Sequence, residues 1–392
     1  MRTKTGIDVL RETADAYLRG ERLGLLANPA SIDARFRHTR DILHECFPGR
    51  LKALYSPQHG FFAEKQDNMI ESGDIVDPDL GLPVYSLYGE TRIPTRAMLD
   101  PVDTLIIDLQ DAGTRVYTFI YTMAYCMEAA RKYGKQVVVL DRPNPVGGNI
   151  IEGNLLKPEN ASFVGRYPIP MRHGLTIGEL ARLFNEHFGI GCELAVVPMQ
   201  NWRRSLYFTD TGLPWVPPSP NLPTPGSAMV YPGQVLWEGT NVSEGRGTTR
   251  PFEVFGAPFL ENRILPEHIP AEAMDGIVLR PVTFEPTSNK WAGTPCHGFH
   301  IHVTERDKYK SYTASLALMQ AVMALHGDQF EWTPPPYEYE FEKQPIDLII
   351  GDTAVRNQLA ALAPLETITA GWQDDLQAFD RLRKEYFLYR DE

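Results

Sequence analysis

The sequence predicts an α/β protein, with a Rossmann-like, doubly wound and mostly parallel β-sheet followed by a second, smaller α+β domain. Three observations favour this architecture. Short runs rich in valine, isoleucine and leucine alternate with longer segments that have apolar residues at helical spacing. The runs are almost continuously apolar, as expected for parallel strands that are covered on both faces. A proline-rich segment then separates this alternating half from a more mixed remainder.

Five apolar runs in the first half are predicted to be β-strands, and three other segments are predicted to be helices. The two later helices stop at a glycine, which is common just past the end of a helix. Repeated βα units of this kind favour an open sheet with parallel strands. The predicted strands are LGLLANP (23–29), LKALYSP (51–57), TLIIDLQD (104–111), QVVVLDRP (136–143) and ELAVVPM (193–199), and the helices are 34–47, 121–134 and 176–189.

A proline-rich segment, TGLPWVPPSPNLPTPGS (211–227), has the composition of a rigid connector. We place the domain boundary near Pro225, which gives domains of residues 1–225 and 226–392. The second part contains both strand and helix patterns and is expected to form the smaller α+β domain. Its predicted strands are 276–284 and 298–305, and its predicted helices are 311–326, about 352–362 and 373–386.

The composition argues against several classes of function. The 392 residues carry a net charge of −12, from 38 Lys+Arg against 50 Asp+Glu, which argues against nucleic acid or an anionic membrane as a partner. No apolar run of about 18 residues exists, and the charged N-terminal segment lacks the apolar centre of a signal peptide. The four cysteines have neither metal-ligand nor redox spacing. We therefore expect a cytoplasmic protein in a reducing compartment.

Familiar nucleotide and hydrolase signatures are missing. There is no G-x-x-x-x-G-K-[ST] loop and no G-x-G-x-x-G after the first strand, so the sheet does not by itself imply ATP or NAD. A G-x-S-x-G motif is also absent, which argues against a serine hydrolase. In the segment CHGFHIH, His300 and His302 share one face of a strand and His297 lies on the other. We interpret these histidines as ordinary strand residues and predict no metal site.

Polar residues crowd the carboxyl ends of the predicted strands, where open α/β sheets bind their ligands. A single Asp or Asn there often caps a helix or shapes a turn, but four successive polar ends favour a binding site. His59 and His173 each precede a glycine, which permits close approach to a ligand; each could equally be a hydrogen-bonded core histidine. The residues along this edge are Asn28, Gln58, His59, Asp108, Asp111, Arg115, Asp141, Arg142 and Asn144.

The segment WEGTNVSEGRGTTRPFE (237–253) places carboxylates and guanidinium groups among small residues. Arginine binds carboxylates through two hydrogen bonds, so the segment suits a polar, sugar-like or carboxylate-bearing ligand. The alternative is a solvated loop held by its own ion pairs. Because the segment follows the connector, it can fold back over the ligand edge of the sheet and line a cleft between domains. Its charged residues are Glu238, Glu244, Arg246, Arg250 and Glu253.

A glycosidase would need particular carboxyl groups in this cleft. One carboxylic acid protonates the leaving oxygen, and a second group supplies a nucleophile or positions water. Glu64, Glu90 and Glu244 are candidates for the acid, and each could equally be a surface glutamate. The sequence alone does not order these three.

Nine long segments carry a family resemblance. They are SPQHGFF, GLPVYSLYGETRIPT, DLQDAGTRVYTFIYTM, VVVLDRPNPVGG, EGNLL, SFVGRYPIPMRHGLTIGEL, FTDTGLPWVPPSPNLPT, YPGQVLWEGTNVSEGRGTTRPFEVFGAPF and PIDLIIGD. Together they resemble the exo-β-N-acetylmuramidase (NamZ) family, formerly a family of unknown function. The resemblance covers nearly the whole chain, and many long matches in one order are far more specific than one short signature.

The resemblance implies a Rossmann-like domain, an ancillary domain and a cleft between them. The implied activity is a glycoside hydrolase that releases N-acetylmuramic acid from the non-reducing end of peptidoglycan fragments. The partner is then a small carbohydrate, either a muramic acid glycoside or a muropeptide. The lactyl carboxylate of this sugar needs a cation, for which the candidates are Arg115, Arg142, Arg246 and Arg250.

One position departs from the family pattern. Many members have glutamate where this chain has Gln58, in a P-E-H-G motif that the resemblance implies to hold the catalytic acid. A glutamine cannot act as a general acid or base. Glu64 or Glu90 could take over, the acetamido group of the substrate could act as nucleophile, or the protein could bind a related sugar and cut it poorly or cut something else.

We therefore predict a glycosidase that works without metal, nucleotide or other cofactor. The alternatives are a catalytically impaired protein that binds muropeptides or amino sugars, and a nucleotide-dependent enzyme on a Rossmann-like sheet. The predicted catalytic residues are Glu90, Glu64, Asp108 and Asp111, and the predicted substrate-binding residues are Gln58, His59, Arg115, Asp141, Arg142, Asn144, His173, Asn221, Asn241, Glu244, Arg246 and Arg250.

Overall fold

The computed structural model describes residues 2–66 and 69–391. Its strands are β1 Leu23–Ala27, β2 Leu51–Ser56, β3 Ile75–Val76, β4 Pro83–Ser86, β5 Thr104–Asp108, β6 Gln136–Leu140, β7 Glu152–Leu155, β8 Pro170–Arg172, β9 Glu193–Val197, β10 Val254–Ala257, β11 Ile277–Phe284 and β12 Cys296–Val303. Its helices are α1 Gly6–Tyr17, α2 Thr39–Cys46, α3 Arg96–Leu99, α4 Phe119–Tyr133, α5 Ile177–Glu186, α6 Pro225–Gln234, α7 Ser311–His326, α8 Pro345–Ile350, α9 Thr353–Ala360, α10 Leu365–Ala370 and α11 Gln373–Lys384.

The first domain is organised by a seven-stranded sheet with the order β3-β4-β2-β1-β5-β6-β9. Strand β3 is antiparallel to β4, and the other neighbouring pairs are parallel. The chain builds the sheet first on one side of β1 and then on the other, so the strand order reverses between β1 and β5. This confirms the predicted doubly wound, mostly parallel sheet, and the five predicted strands all form within it.

Both faces of this sheet are covered, as the apolar strands predict. Successive side chains of a strand point to opposite faces, so neighbours in sequence enter different cores. Leu25 and Ile106 pack into the core that contains residues of α1 and α2. Leu26 and Ile107 pack into the larger core that contains α4 and α5. Helix α4 ends at Gly134, which adopts the left-handed conformation (φ 65°) that glycine tolerates best.

The predicted helix over 34–47 is wrong in its first half. The Asp33 carboxylate accepts hydrogen bonds from the backbone N–H groups of Arg35 (2.8 Å) and Arg37 (3.0 Å), which holds a tight turn instead. The helix begins only after His38, whose ring accepts a hydrogen bond from the N–H of Arg40. The apolar spacing of the segment did not reveal this turn.

The second domain contains a three-stranded antiparallel sheet of order β10-β12-β11 and the helices α6 to α11. The predicted helix 311–326 is confirmed as α7, and the predicted strands correspond to β11 and β12. Helix α6 lies directly against α7, where Gly233 approaches Ser311 so closely that a Cβ atom has no room. An α+β arrangement is therefore confirmed for this part of the chain.

The proline-rich segment lies between the two domains. It has little regular structure before Pro225 begins α6, and the Trp215 indole N–H donates to the Leu222 carbonyl oxygen at 3.1 Å. The exact division at residue 225 stays a prediction. Over residues 2–66 and 69–391, no helix is both long enough and apolar enough to cross a membrane.

Candidate active site between the domains

The carboxyl edge of the central strands carries a buried ion pair. The Asp108 carboxylate accepts hydrogen bonds from the Arg142 guanidinium (Nη2 to Oδ2 2.8 Å) and from the Thr39 hydroxyl. Arg142 also donates to the Ile32 carbonyl oxygen at 3.0 Å, and the Asp108 side chain has no exposed surface. Both charges are neutralised inside the protein. We therefore correct two predictions: Asp108 is not placed to act on a substrate, and Arg142 is not placed to bind its carboxylate.

Asp141 is also buried and joins three segments of the fold. Its Oδ2 accepts from the Tyr389 hydroxyl at 2.6 Å and the Thr176 hydroxyl at 2.7 Å, and its Oδ1 accepts from the Gly178 N–H at 2.8 Å. Burial raises the pKa of Asp141 to about 7, because burial disfavours the charged form. These contacts tie the start of α5 and the C-terminal segment to β6, so the predicted role in substrate binding is replaced by a structural one.

Arg115 is completely buried, and its side chain binds backbone carbonyl oxygens rather than an anion. Its guanidinium donates to carbonyl oxygens on β7, on the segment before β8 and on α8, so it links the two domains. Burial lowers the pKa of Arg115. The prediction that it binds the substrate carboxylate is therefore corrected. The four acceptors are Asn154 (2.9 Å), Ile169 (3.2 Å), Ile349 (3.0 Å) and Ile350 (2.5 Å).

Three further predicted residues shape the interior behind the sheet edge. The Asp111 carboxylate accepts from the Gly113 N–H at 2.7 Å, and its Oδ2 lies 3.5 Å from Nε2 of His173. His173 Nδ1 accepts from the Leu175 N–H at 3.1 Å, and the Asn144 side chain donates to the Leu175 carbonyl oxygen at 2.9 Å. All three side chains are buried and outside the cavity described next. Their predicted catalytic or binding roles stay predictions.

A small cavity of about 40 Å³ lies between the two domains. Four of the predicted substrate-binding residues line it: Gln58, His59, Asn221 and Arg246. Asn221 also donates to the Gln66 carbonyl oxygen at 3.1 Å. The other lining residues are Val116, Tyr117, Thr118, Phe119, Val164, Ser219, Leu222, Tyr231, Glu238, Phe252, Tyr337 and Glu338.

A buried hydrogen-bond network joins the two domains at Gln58. The Thr118 hydroxyl donates to Oε1 of Gln58 at 2.7 Å, so Nε2 of Gln58 faces the other way. That Nε2 donates to Oε1 of Glu338 at 2.9 Å and to the Tyr88 hydroxyl at 3.2 Å. The Tyr88 hydroxyl donates to Oε2 of Glu338 at 2.6 Å. Burial and the nearby Glu238 carboxylate raise the pKa of Glu338 against the opposing effect of these hydrogen bonds.

A second network at the same cavity consists mainly of ion pairs. The Arg246 guanidinium donates to Oε1 of Glu238 at 2.7 Å, and its Nε lies 3.2 Å from Oε1 of Glu244. The Tyr337 hydroxyl donates to Oε2 of Glu238 at 2.6 Å. Glu244 is also paired with the Lys290 ammonium at 2.8 Å, and these two cations lower the pKa of Glu244 although its burial acts in the opposite direction. The predicted loop 237–253 is therefore part of the cavity wall.

The backbone around the cavity is unusually strained. His59, Phe252, Glu338 and Tyr339 all have positive φ angles, at 77°, 65°, 48° and 65°. Non-glycine residues rarely adopt this conformation, and such residues cluster at functional sites. Nδ1 of His59 lies 2.7 Å from the Lys65 carbonyl oxygen, and burial lowers the pKa of His59 to about 4. His59 is therefore neutral near pH 7, with Nδ1 as the hydrogen-bond donor.

Aromatic rings and a cation border the Glu338 side of the cavity. The Arg92 guanidinium lies 4.3 Å from the ring centre of Phe163, 4.5 Å from that of Tyr339 and 5.3 Å from that of Tyr88. Cations over aromatic faces are held by the ring quadrupole. Arg92 therefore fixes the loop that carries Tyr88 against the segment that carries Glu338.

Glu64 and Glu90 are exposed, and neither of them lines the cavity. The Glu64 carboxylate packs beside the backbone of Gly60, where a Cβ atom would lie 2.5 Å from Oε1. Glu90 lies on the loop that also carries Tyr88, two residues further along the chain. The structure therefore does not support our prediction that one of these glutamates is the acid.

Arg250 and Asn241 also lie outside the cavity. Arg250 is 52% exposed and pairs with Glu253 at 3.3 Å. The Asn241 side chain donates to the Gln329 carbonyl oxygen at 2.8 Å and accepts from the Glu331 N–H at 3.1 Å. Both side chains make contacts within the second domain, and their predicted contacts with substrate stay predictions.

The sequence interpretation missed Glu338 and Tyr337. They belong to PYEYEFEK, which looks like an ordinary charged segment after three prolines. Only the packing of this segment against Gln58, 280 residues away in sequence, makes it part of a site. The one available signal was that Glu338 lies seven residues before PIDLIIGD, one of the family-like segments.

The histidines of β12 also behave as strand residues. The rings of His300 and His302 lie 4.0 Å apart on one face, and Arg280 donates to both. Within residues 2–66 and 69–391, no three His, Cys, Asp or Glu side chains are grouped so that they could hold a metal ion.

The fold and the cavity together define a two-domain α/β protein with a buried polar cavity between its domains. The chain belongs to the NamZ family: residues 23–226 match "Exo-beta-N-acetylmuramidase NamZ, N-terminal", and residues 229–389 match "Exo-beta-N-acetylmuramidase NamZ, C-terminal".

Three relatives extend over almost the entire chain. The peptidoglycan beta-N-acetylmuramidase NamZ of Bacillus subtilis (strain 168) is 45% identical over 388 residues, which is 99% of this chain and 92% of that protein. Two crystal structures of DUF1343 family proteins from Bacteroides fragilis NCTC 9343 are similar in fold. One has a TM-score of 0.88 at 36% identity, with 99% of both chains covered, and the other has a TM-score of 0.78 at 30% identity, with both chains covered completely.

Proposed function

We propose that this protein is a glycoside hydrolase that releases N-acetylmuramic acid from the non-reducing end of peptidoglycan fragments. Membership of the NamZ family and 45% identity to a peptidoglycan beta-N-acetylmuramidase support the reaction class. The cavity between the domains is the proposed active site. A cytoplasmic location stays a prediction.

The single observation that carries this proposal is the pair of buried glutamates, Glu238 and Glu338, on one cavity. Hydrolysis of a glycoside needs one carboxyl group that is protonated and a group that stabilises positive charge or directs water. Glu238 accepts a hydrogen bond from the Arg246 guanidinium at 2.7 Å, whereas Glu338 has no cation within ion-pair distance among the described residues and burial raises its pKa.

The cavity also fits the polar character of the substrate. Amide, hydroxyl and imidazole groups converge with the guanidinium of Arg246, and aromatic side chains form part of the wall. Arg246 is the one predicted anion-binding arginine that lines this cavity, but its guanidinium already pairs with Glu238 and Glu244. We therefore propose that it orders these carboxylates and does not bind the lactyl carboxylate of the sugar. Gln58, His59 and Asn221 are proposed to bind its hydroxyl and acetamido groups.

The alternative of a catalytically impaired sugar-binding protein rested on Gln58. The cavity contains two other carboxyl groups, so the amide at residue 58 does not leave the site without an acid. The nucleotide-dependent alternative has no phosphate-binding glycine loop in its favour. We therefore retain hydrolysis as the proposed function.

The test is direct incubation with two muramic acid glycosides. One is the 4-nitrophenyl β-glycoside of N-acetylmuramic acid, and the other is its β-1,4 disaccharide with N-acetylglucosamine. We expect release of free N-acetylmuramic acid from both between pH 5 and pH 8. The 4-nitrophenyl β-glycoside of N-acetylglucosamine, which lacks the lactyl carboxylate, is the specificity control. Binding of the disaccharide by calorimetry without any product would favour the impaired binder instead.

A further inference from the structure

Glu338 is the carboxyl group that is best placed to hold a proton at the cavity wall. Its side chain is 4% exposed, and it lines the cavity. Both of its oxygens are positioned by neutral donors, Tyr88 at 2.6 Å and Gln58 at 2.9 Å. The guanidinium of Arg92 stacks on the neighbouring rings rather than bonding to this carboxyl group. These two hydrogen bonds fix the orientation of the Glu338 carboxyl group. Because neither donor is charged, the carboxyl group can also be present in its neutral, protonated form.

The other carboxyl groups near the cavity are placed differently. Glu238 and Glu244 each pair with Arg246, and Glu244 also pairs with Lys290. The two cations lower the pKa of Glu244 although its burial acts in the opposite direction, and Glu238 accepts its hydrogen bonds from the Arg246 guanidinium and the Tyr337 hydroxyl. Among the described residues that line the cavity, Glu338 is thus the carboxyl group without a cation within ion-pair distance.

We propose that Glu338 is the proton donor of the glycosidase reaction, and this inference rests on the proposed function. The Glu338 carboxyl group gives its proton to the glycosidic oxygen as the bond between that oxygen and C1 breaks. The bonding electron pair leaves with the oxygen. Water then adds to C1 and returns one proton to the Glu338 carboxylate, so the group is restored and the net reaction is hydrolysis. Gln58 and Tyr88 position the carboxyl group and do not exchange protons with the substrate.

The surroundings of Glu338 also set the direction of the pH dependence. Burial and the Glu238 charge raise the pKa of Glu338, and these outweigh the hydrogen bonds from Tyr88 and Gln58 and the charge of Arg92. A raised pKa keeps the acid protonated at higher pH, so activity is present below this pKa and is lost as the pH rises through it. The titratable or charged groups that surround Glu338 are Tyr88, Arg92, Tyr231, Glu238, Tyr337 and Tyr339.

The decisive experiment compares two leaving groups in the Glu338→Gln variant. A sugar alkoxide needs a proton to leave, whereas 4-nitrophenolate leaves without one. We expect kcat/KM for the disaccharide to fall by about 10²–10⁴-fold, which is the usual contribution of a general acid. The fold-decrease in kcat/KM for the nitrophenyl glycoside should be at least ten times smaller. The alkaline limb of the nitrophenyl pH profile is expected to flatten. The matched control is Glu342→Gln, at an exposed position on the same segment. It should leave kcat/KM for both glycosides unchanged.

The outcomes separate this inference from the proposed function. If the unaltered protein cleaves neither glycoside, the proposed function is wrong. If it cleaves both glycosides and Glu338→Gln lowers kcat/KM for both by the same factor, Glu338 only positions or binds the substrate. The inference is then overturned. The inference is equally overturned if Glu90→Gln shows the leaving-group difference and Glu338→Gln does not. Thermal melting of each variant confirms that it is folded.

Discussion

Two buried clusters of the molecule each contain carboxyl groups and an arginine, yet they differ in what surrounds the carboxyl groups. The rim cluster, Asp108, Asp141 and Arg142, lies where the central strands end. The cavity cluster, defined by Gln58, Tyr88, Glu238, Arg246 and Glu338, lies between the domains. In the rim cluster every charge faces protein groups, and the pocket beside Arg142 has a volume of only about 10 Å³. In the cavity cluster one carboxyl group is oriented by neutral donors.

The comparison shows that buried charge at the ligand edge of an open sheet is not by itself a binding site. Burying a carboxylate is costly unless hydrogen bonds and a cation compensate for the lost hydration. The rim cluster meets that requirement completely and therefore has a structural role. The cavity cluster meets it in part, which leaves Glu338 in an environment where it can accept and release a proton.

The largest expected effect is on stability, at the rim cluster. Asp108→Asn removes the charge that neutralises the buried Arg142, and breaking a buried ion pair typically costs about 3–5 kcal/mol. We expect the free energy of unfolding, measured by urea denaturation, to fall by roughly that amount. Asp103→Asn breaks a more exposed pair with Arg22 and should cost at most about 1 kcal/mol. Equal losses in the two variants would contradict the structural role of Asp108.

A second prediction concerns the pH dependence that Asp141 imposes on stability. Its pKa is raised to about 7 in the folded protein from an ordinary value of 3.8, so the folded state binds more protons than the unfolded state between these values. Stability is therefore expected to fall as the pH rises from 4 to 7, by at most about 1.4 kcal/mol per pH unit. In Asp141→Asn this contribution is absent. Parallel stability curves for the two proteins between pH 5 and pH 7 would refute the assignment.

A third prediction concerns activity at the cavity cluster. Gln58→Glu places a second carboxyl group where an amide now lies 2.9 Å from Glu338. Two carboxyl groups that share one site share a proton, and the pKa of one of them rises. We expect the alkaline limb of kcat/KM to move to higher pH. Gln329→Glu, which adds the same charge on the exposed surface, should leave the limb in place.

The smallest expected effect is at Glu64. Its exposed carboxylate lies outside the cavity, so Glu64→Gln should change kcat/KM by no more than about twofold, as is usual for a surface substitution worth up to about 0.5 kcal/mol. Steady-state kinetics on the disaccharide provides the check. A loss comparable to that of Glu338→Gln would mean that the acid lies on the first domain after all.

The sequence by itself determined the layers of the fold and the family. Apolar runs and helical spacing are local properties, so strands such as β1 and β5 and the helix α7 could be predicted from a few consecutive residues. It also indicated that loop 237–253 contributes to the cleft, and Arg246 indeed lines the cavity beside His59. The error in the helix over 34–47 came from a side-chain hydrogen bond at Asp33, which apolar spacing does not encode.

Only the tertiary structure decided which polar residues face the cavity. Asp108, Arg115 and Gln58 look equally suitable along the chain, and their roles depend on which donors and acceptors the fold places around them. Glu338 becomes part of the site through contacts with Gln58 and Tyr88, which are 280 and 250 residues distant in sequence. Hydration, burial and charge pairing at a point in space depend on groups from the whole chain, whereas sequence patterns report only on neighbours.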